Sequence, residues 1–202
     1  MVKDLKYRST IKSRPLFFFE MKKAASLVNK GISIAQLKDL VINENIFQVN
    51  TEARKKEIAS TVIGRLEKLD DYLIQQIAEA DVETSKLLVL YSVLKTDRLF
   101  FEFLDEVIKD KRTLKDYLLT DKDFNIFFHR KREESEVVSR WQDYTFYKLQ
   151  QVYIRILFEV GILKNQKDER EIEVPFFNED VKNHLKEFGD EHFVHLLVGE
   201  TA

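Results

Sequence analysis

The sequence contains no cysteine, and in 202 residues it has only five glycines and two prolines. The absence of cysteine excludes a disulfide framework and a thiolate metal site, and it fits a reducing compartment. Few glycines and prolines disfavour an all-β protein, which needs turn residues at every chain reversal. They also leave no phosphate loop, dinucleotide-binding glycine pattern or nucleophile elbow. These absences favour an all-α protein without a recognisable catalytic motif.

Long hydrophobic runs are also missing. The densest aromatic cluster, Leu16–Phe19, ends at Glu20, whereas a signal peptide needs an apolar core of about 7–15 residues. The longest apolar stretch, Leu87–Leu94, is interrupted by Ser92 and is far shorter than the roughly 20 residues of a membrane-spanning helix. We therefore expect a cytoplasmic protein that has no leader peptide and does not bind a membrane.

What the sequence does contain is frequent helix punctuation. Ser13, followed by an Arg-Pro pair, predicts the N-cap of a first helix that ends at Gly31. The stretch Ser33–Gln36 has the pattern of a capping box. The almost wholly apolar segment 83–95 predicts the central buried helix. Further helix starts are predicted at Asn50 or Thr51, Asp70, Thr96–Asp97, Thr113 and Asn178, and two long helices at 123–141 and 144–161.

These segments amount to about ten helices and one small hairpin, so the predicted fold class is an all-α multi-helix bundle. The only convincing strand is Ile172–Pro175. We divide the bundle into an N-terminal helical subdomain, residues 1–110, and a C-terminal helical subdomain, residues 111–202. No linker composition marks that boundary, which predicts that the two subdomains form one compact body.

Charge is unevenly distributed along a chain whose net charge is −2. Residues 1–23 carry seven Lys or Arg against two acids, a net charge of +5. Residues 165–202 carry four Lys or Arg against ten acids, a net charge of −6. A basic N-terminus and an acidic C-terminus say more about binding partners than about the fold.

Basic clusters are the strongest functional signal. The cluster Arg54–Lys56 lies in the first turns of a predicted helix, where the helix dipole opposes cations unless an anion such as phosphate lies nearby. Arg65 follows three turns later and can share the same face, and Arg130–Arg132 is a second basic run. Each run alone is more typical of a solvated helix face, but together with the basic N-terminus they favour a polyanion partner. The candidate nucleic-acid contacts are Lys6, Arg8, Ser9, Thr10, Lys12, Arg14, Arg54, Lys55, Lys56, Arg65, Arg130, Lys131, Arg132, Thr145 and Lys148.

The segment 141–174 has the order long helix, glycine, short apolar strand, polar tip and returning strand. That order is typical of a winged helix-turn-helix module, whose recognition helix would here offer Thr145, Lys148 and Gln151 to DNA. The alternative is a purely structural hairpin, because the tip mixes cations with acids that would repel phosphates. The tip cations are Lys164, Lys167 and Arg170, and the tip acids are Asp168, Glu169 and Glu171.

Catalytic and metal-binding patterns are weak. His192 and His195 lie three residues apart on a predicted helix, close to Asp190 and Glu191, but the spacing fixes no third ligand. Exposed histidines on an amphipathic terminal helix explain this pattern better. The acidic pair Glu133–Glu134 is typical of a solvated helix face in a highly charged protein. We therefore expect that the protein is not an enzyme and that it uses no metal and no cofactor.

Three segments together resemble a known family. They are YRSTIKSRPLFFFEMKKAASLVNKGIS, NIFQVNTEARKKEIASTVIGRLEKL and WQDYTFYKLQQVYIRILFEVGIL, in this order and spacing. They are similar to the BrxA family, small proteins encoded in bacteriophage-exclusion (BREX) defence loci. The resemblance covers essentially the whole chain and implies a helical protein similar to the antitermination factor NusB, with a non-enzymatic, nucleic-acid-binding role. It also implies an inner-membrane location, which the hydropathy of this sequence argues against.

The residues and the resemblance together predict a non-enzymatic, DNA-binding accessory protein of a BREX system, with other BREX proteins as partners. Phosphate capture by the basic N-terminal arm and by Arg54–Lys56 would be mostly independent of sequence and sensitive to salt. RNA in place of DNA stays open. The alternative is a protein-interaction scaffold whose acidic C-terminal region docks onto a basic partner. The sequence does not predict an oligomeric state.

Overall fold

The computed structural model describes residues 2–167 and 169–199, which form two compact units. The inserted unit is Leu16–Thr96. The terminal unit combines the described residues before Leu16 with those from Asp97 onward, so the chain passes between the units twice. Residue 110, where the sequence analysis divided the chain, lies inside a helix of the terminal unit. Most described residues are helical, which confirms the all-α class.

Side-chain caps start most helices of the inserted unit. Ser33 accepts a hydrogen bond from the backbone N–H of Gln36, whose side chain returns to Ser33, so the predicted capping box is confirmed. Thr51 and Asp70 cap the next two helices, as predicted. The helices are α1 (Phe18–Asn29), α2 (Ile34–Ile42), α3 (Glu52–Leu66), α4 (Asp71–Glu79) and α5 (Val82–Leu94).

Helix α5 is the buried centre of the inserted unit, as predicted. Every residue from Leu87 to Leu94 is buried, and Asp81 caps the helix by accepting a hydrogen bond from the backbone N–H of Thr84. This apolar helix is only 13 residues long. Among all the helices of residues 2–167 and 169–199, none is long and apolar enough to cross a membrane.

The first helix begins later than predicted. Ser13 lies at the end of the 3₁₀ turn Thr10–Lys12, and α1 starts only after Phe17, whose backbone is left-handed with φ of 55°. A left-handed residue interrupts a right-handed helix, and for a residue with a Cβ it costs roughly 1–2 kcal/mol. Burial of the Phe17 ring offsets this cost, and the Arg65 guanidinium adds a contact at 5.7 Å from the ring centroid.

The terminal unit contains the remaining elements. Two short 3₁₀ turns, Val2–Asp4 and Thr10–Lys12, precede the inserted unit. After it follow α6 (Arg98–Phe103), a π-helical turn (Leu104–Ile108), α7 (Lys109–Thr113), β1 (Leu118–Leu119), α8 (Asp121–Glu134), α9 (Glu136–Ser139), α10 (Asp143–Glu159), β2 (Arg170–Glu171), α11 (Glu179–Glu187) and α12 (Glu191–Val198).

Aromatic rings fix the long helix α10 in the core of the terminal unit. The Tyr153 ring lies 4.4 Å from that of Phe100 and 5.3 Å from that of Phe103, measured between centroids. Phe103 in turn stacks on Phe124 of α8 at 4.7 Å. Such ring pairs add about 0.5–1.5 kcal/mol each beyond their buried area. They hold the inner face of α10 and leave its opposite face in solvent.

Two more predicted helix boundaries are wrong. Thr113 ends α7 and does not start a helix, because the chain turns at Lys115, which has φ of 57°, and then enters β1. The helix predicted at 123–141 is broken at Ser135, whose extended backbone ends α8. Its hydroxyl accepts a hydrogen bond from the backbone N–H of Val138 and so caps α9.

Three short chain segments, one before α8 and two after α10, form antiparallel pairings. Gly161, with φ of 79°, lets the chain leave the helix, and Leu163 then bridges Ile172. Arg170 and Glu171 pair on their other side with β1, in the register Leu119 to Arg170. The predicted strand at 172–175 therefore lies two residues too late, and its pairing partner β1 was not predicted. Pro175 has no N–H to donate to a ladder.

Arg112 ties the C-terminal helix to the returning strand of the hairpin. Its guanidinium is buried and donates hydrogen bonds to the carbonyls of Leu196 and Glu173, each at 2.9 Å. Burial lowers the pKa of Arg112 to about 10, so the group is still charged at neutral pH. A cation at a helix C-terminus also complements the helix dipole. One planar fork therefore joins two segments that are far apart in sequence.

Replacing Arg112 with lysine should destabilise the protein although it keeps the charge. An ammonium cannot bridge both carbonyls in the geometry of the guanidinium fork, so we expect a loss of about 2–3 kcal/mol of unfolding free energy, measured by urea denaturation. The exposed Arg140 provides the control, since Arg140→Lys should change stability by less than about 0.5 kcal/mol. Equal urea midpoints for the wild type and Arg112→Lys would contradict this role.

Candidate nucleic-acid interface

A groove of about 620 Å³ in the terminal unit is bordered by α10, by the 3₁₀ turn Thr10–Lys12 and by the tip of the hairpin. Among the described residues that line it, five are cations and one is a carboxylate. Cations concentrated along a concave surface focus a positive potential there, so the groove attracts anions. The cations are Lys12, Lys148, Arg155, Lys167 and Arg170, and the carboxylate is Asp121.

The N-terminal segment is packed onto the terminal unit. Ile11 is buried, and the Tyr7 hydroxyl donates a hydrogen bond of 2.9 Å to Glu102. The guanidinium of Arg98 lies 4.0 Å from the centroid of the Tyr7 ring. This anchoring places the Nζ of Lys12 within 3.4 Å of the Oγ1 of Thr145, at the start of α10. Two predicted contacts that are far apart in sequence therefore meet, and of the two Lys12 lines the groove.

A buried charge network, which we call the Lys131 network, holds that anchor. It consists of Tyr7, Arg98, Glu102, Glu106 and Lys131. Lys131 and Glu102 are each only 4% exposed and lie 3.0 Å apart, and Glu106 lies 2.5 Å from Lys131. Burial alone would lower the pKa of Lys131, but its carboxylate partners outweigh this and raise the pKa above its ordinary value. For Glu102 burial raises the pKa, and the hydrogen bonds from Arg98 and Lys131 outweigh it, so the pKa is lowered.

The solvent face of α10 combines cations, amides and phenols. Tyr144 and Tyr147 are 65% and 55% exposed, and the ammonium of Lys148 lies within 5.5 Å of both ring centroids. Gln151 donates a hydrogen bond of 2.7 Å to the Tyr147 hydroxyl and accepts one from Lys148 at 3.2 Å. Arg155 is exposed one turn further along the same helix. Cations bind phosphate, amides read base edges and rings stack on bases.

The hairpin tip presents one of the three predicted cations, and the other two are paired with carboxylates. Lys167 is exposed and lines the groove. Lys164 instead pairs with Glu171 at 3.0 Å, so its charge is compensated within the hairpin. Arg170 is buried and pairs with Asp121 at 2.6 Å. Asn165 shapes the tip, because its amide donates to the carbonyls of residues 167 and 169. The predicted tip acid Asp168 lies outside the described residues.

The other candidate contacts of the N-terminal segment lie around the same 3₁₀ turn. Lys6 and Arg8 are exposed, whereas Arg14 is half-buried. Thr10 starts the turn, and its backbone carbonyl accepts a hydrogen bond from the Ser13 hydroxyl. Ser9 precedes the turn without using its side chain as a cap. None of these five residues lines the groove. Lys12 is therefore the contact that the N-terminal segment brings to the groove.

The basic run on α8 is matched by carboxylates. Arg130 pairs with Glu106, and Arg132 pairs with Asp143 while its guanidinium lies 4.2 Å from the Phe146 ring. Lys131 is buried in the network described above, so it cannot offer its charge to a surface ligand. This run stabilises the terminal unit and adds little uncompensated charge to its surface.

The basic cluster of the inserted unit is also largely engaged. Arg54 pairs with Glu57 at 2.5 Å, and Lys55 pairs with Glu52 at 2.8 Å. Arg65 shares a face with Arg54, as predicted, since both guanidinium groups lie within 5.7 Å of the Phe17 ring centroid. Arg65 is buried and donates a hydrogen bond of 2.7 Å to the Leu16 carbonyl, which removes it from the surface. Of the predicted cluster, Lys56 is the exposed member.

The histidines near the C-terminus contact other parts of the terminal unit. The Nε2 of His192 lies 3.4 Å from Asp105, and its ring lies 5.7 Å from that of Phe101. Burial lowers the pKa of His192, and the nearby Asp105 partly opposes this. Within residues 2–167 and 169–199, no group of three His, Asp or Glu side chains is arranged to hold a metal ion.

The candidate list drawn from sequence omitted several groove residues. Tyr147, Gln150 and Arg155 line the groove and were not predicted as contacts, whereas Gln151, which also lines it, was predicted only as part of the recognition helix. A signal for them was present, since the buried residues Phe146, Leu149 and Tyr153 mark the inner face of α10 and leave these four off it. Assigning the buried face of the helix from this spacing would have placed them on the exposed face.

The fold and the groove together define a class: an all-helical protein with a short hairpin and a basic groove beside its longest helix. The model of the BrxA family matches residues 5–189, and the chain belongs to this family. A BREX protein BrxA from Bacillus cereus (strain H3081.97) is 60% identical over 200 residues, which cover 99% of this chain and 100% of that protein.

More distant relatives extend the comparison. A BREX protein BrxA from Paramagnetospirillum magneticum (strain ATCC 700264 / AMB-1) is 25% identical over 192 residues, covering 95% of this chain and 96% of that protein. A crystal structure of an uncharacterized protein from Magnetospirillum magneticum aligns with a TM-score of 0.81 at 24% identity, covering 97% of this chain and 100% of that chain. The structural match shows that the fold is shared. The predicted likeness to NusB stays a prediction.

Replacing Tyr7 with phenylalanine removes the hydroxyl that anchors the N-terminal segment. Since this hydroxyl bonds to a carboxylate, we expect a loss of about 1–2 kcal/mol of unfolding free energy at pH 8. Burial and the hydrogen bond to Glu102 raise the pKa of Tyr7 to about 12. The unfolded phenol titrates near pH 10, so the stabilisation is complete below about pH 10 and is lost as the pH rises towards 12.

Urea denaturation of both proteins at pH 8 and at pH 11 tests this dependence, and the difference between them should shrink at pH 11. Tyr144→Phe, at an exposed ring, is the matched control and should unfold like the wild type. If wild type and Tyr7→Phe were equally stable at pH 8, the hydroxyl would not anchor the segment.

Proposed function

We propose that this chain is a non-enzymatic, DNA-binding accessory protein of a BREX phage-defence system, acting in the cytoplasm with other BREX proteins. The observation that carries the proposal is the basic groove, where Lys12, Lys148 and Lys167 converge from three separate segments. Its one described carboxylate, Asp121, is already engaged by Arg170. A lining of cations, amides and phenols suits the binding of a polyanion better than the catalysis of a reaction on that polyanion.

The order of elements supports a winged helix-turn-helix module within the terminal unit. Helices α6 and α7 come first, then β1, α8 and α10, and then the hairpin that pairs with β1. In this arrangement α10 is the recognition helix and the tip around Lys167 is the wing. The exposed face of α10 would enter the major groove, and the wing and Lys12 would contact the phosphates on either side.

Most of the binding energy should come from phosphate contacts. The exposed or half-buried cations of the groove that make no ion pair with a described residue are Lys12, Lys148, Arg155 and Lys167. Four neutralised phosphates give a log–log slope of affinity against salt of roughly −4. The amides of Gln150 and Gln151 can add base-edge contacts, so a modest sequence preference is compatible with this mechanism.

Three single substitutions, Lys12→Ala, Lys148→Ala and Lys167→Ala, test the groove. Each should weaken binding to a labelled random duplex DNA several-fold and reduce the salt slope by about 1, as measured by fluorescence anisotropy at several salt concentrations. Point variants are preferable to deleting residues 1–12, since that deletion would also remove the anchors Tyr7 and Ile11.

Two control variants sharpen the experiment. Lys38→Ala changes an exposed lysine of α2 and should leave both affinity and slope unchanged. Lys56→Ala asks whether the basic cluster of the inserted unit contributes a second contact. Loss of affinity in Lys56→Ala alone would move the site away from the groove, and wild-type binding that does not change with salt would refute phosphate capture altogether. Duplex RNA of the same sequence, used as a competitor, measures the preference for DNA.

A further inference from the structure

A second groove in the terminal unit has the opposite character. It measures about 230 Å³ and lies between α7 with its following turn and α8. Its floor is made by the buried Val107 and Phe127, and its walls include Leu114 and Ile126, which are 77% and 55% exposed. We propose that this α7–α8 groove docks a segment of a partner protein in which an apolar side chain is flanked by lysine or arginine.

The size of the groove points to a side chain and not to a free small molecule. Pockets that bind drug-sized ligands measure about 300–1,000 Å³ and enclose most of the ligand. A groove of about 230 Å³ with an open rim instead accommodates one or two side chains that project from a protein surface. An apolar anchor that fills such a groove is the typical centre of a protein interface.

The apolar walls provide the driving force. Leu114 lies at the end of α7 and Ile126 on the solvent face of α8, and both line the same groove. Covering such side chains gains about 25 cal/mol for each Å² of apolar surface removed from water. Because both side chains line one groove over an apolar floor, they belong to a patch and are not scattered singly, and such patches are characteristic of interaction sites.

The charges around the groove select the partner. Its lining holds four carboxylates, Glu106, Asp110, Asp116 and Asp123, against two cations. Lys111 is only 11% exposed and is already shared by Asp116 and Asp123. Asp110 is exposed and makes no ion pair with any described residue. Glu106 is already paired with Arg130 and Lys131, so the uncompensated negative charge lies on Asp110 and on the two carboxylates that share Lys111. This charge attracts a basic segment and repels phosphates, so nucleic acid is a poor occupant of this groove.

This inference does not depend on DNA binding, because the α7–α8 groove shares no lining residue with the basic groove. The choice of partner rests on the proposed role in a BREX system, whose other proteins are the occupants to test. One chain would thus hold a polyanion on one surface and a basic, apolar protein segment on another.

Photocrosslinking identifies the occupant directly. A photoreactive phenylalanine analogue is placed at Leu114 of the full chain and, as control, at Val137 of α9, which is also exposed and apolar. Each variant is irradiated with each of the other purified proteins of the BREX system, and the crosslinked peptide is sequenced by mass spectrometry. We expect a crosslink specific to position 114, to a segment that carries an apolar residue within a few positions of lysine or arginine.

A charge reversal makes the test quantitative. Asp110→Lys should lower the crosslinking yield at position 114 at least tenfold, and changing the captured lysine or arginine of the partner to glutamate should restore it. Crosslinking to a second copy of this chain, to an acidic segment, or no more than at position 137 overturns the proposal. DNA affinity should be unchanged in Asp110→Lys, so a failure here leaves the proposed DNA binding standing, and the reverse also holds.

Discussion

The ion pair between Lys131 and Glu102 is the interaction on which the terminal unit depends. The two side chains are almost fully buried, 3.0 Å apart, and belong to α8 and α6. Removing two charges from water is costly, and the cost is offset because Glu106 and Glu134 also accept hydrogen bonds from Lys131, while Arg98 and Tyr7 donate hydrogen bonds to Glu102. Loss of one member leaves a buried charge without its partner, which typically costs about 3–5 kcal/mol. The network therefore specifies one arrangement of these segments.

That arrangement has a functional consequence through Tyr7. The N-terminal segment has few apolar residues of its own, and its attachment rests on Ile11 and on the hydrogen bond from Tyr7 to Glu102. Once attached, the segment places Lys12 beside Thr145 at the start of α10. By anchoring the N-terminal segment, the Lys131 network thus holds Lys12 in place at the basic groove. The second groove, beside Glu106 and Arg130, borders the same network from another side.

Local signals predicted much of the fold. Caps such as Ser33, Thr51 and Asp70 were found because a cap depends on residues three positions apart. The start of α1 was missed because the left-handed Phe17 is held by burial and by arginines that lie far along the sequence. Strand β1 was missed because its partner β2 follows about fifty residues later and each strand is only two residues long.

The candidate site was predicted only in part, again because contacts between residues far apart in sequence are not visible in local patterns. Composition identified cations, but only tertiary structure decides which of them carry uncompensated charge. In the sequence Arg65 and Lys131 are cations on predicted helices, as Lys148 is, yet both are buried and bonded within the fold.

The central claim is that the surface of Lys12, α10 and the hairpin tip binds DNA. Hydrogen–deuterium exchange with and without duplex DNA tests it most directly. The account predicts slower exchange at residues 10–13, 144–155 and 165–167, and unchanged exchange at 52–66; protection confined to 52–66, or none anywhere, would contradict it.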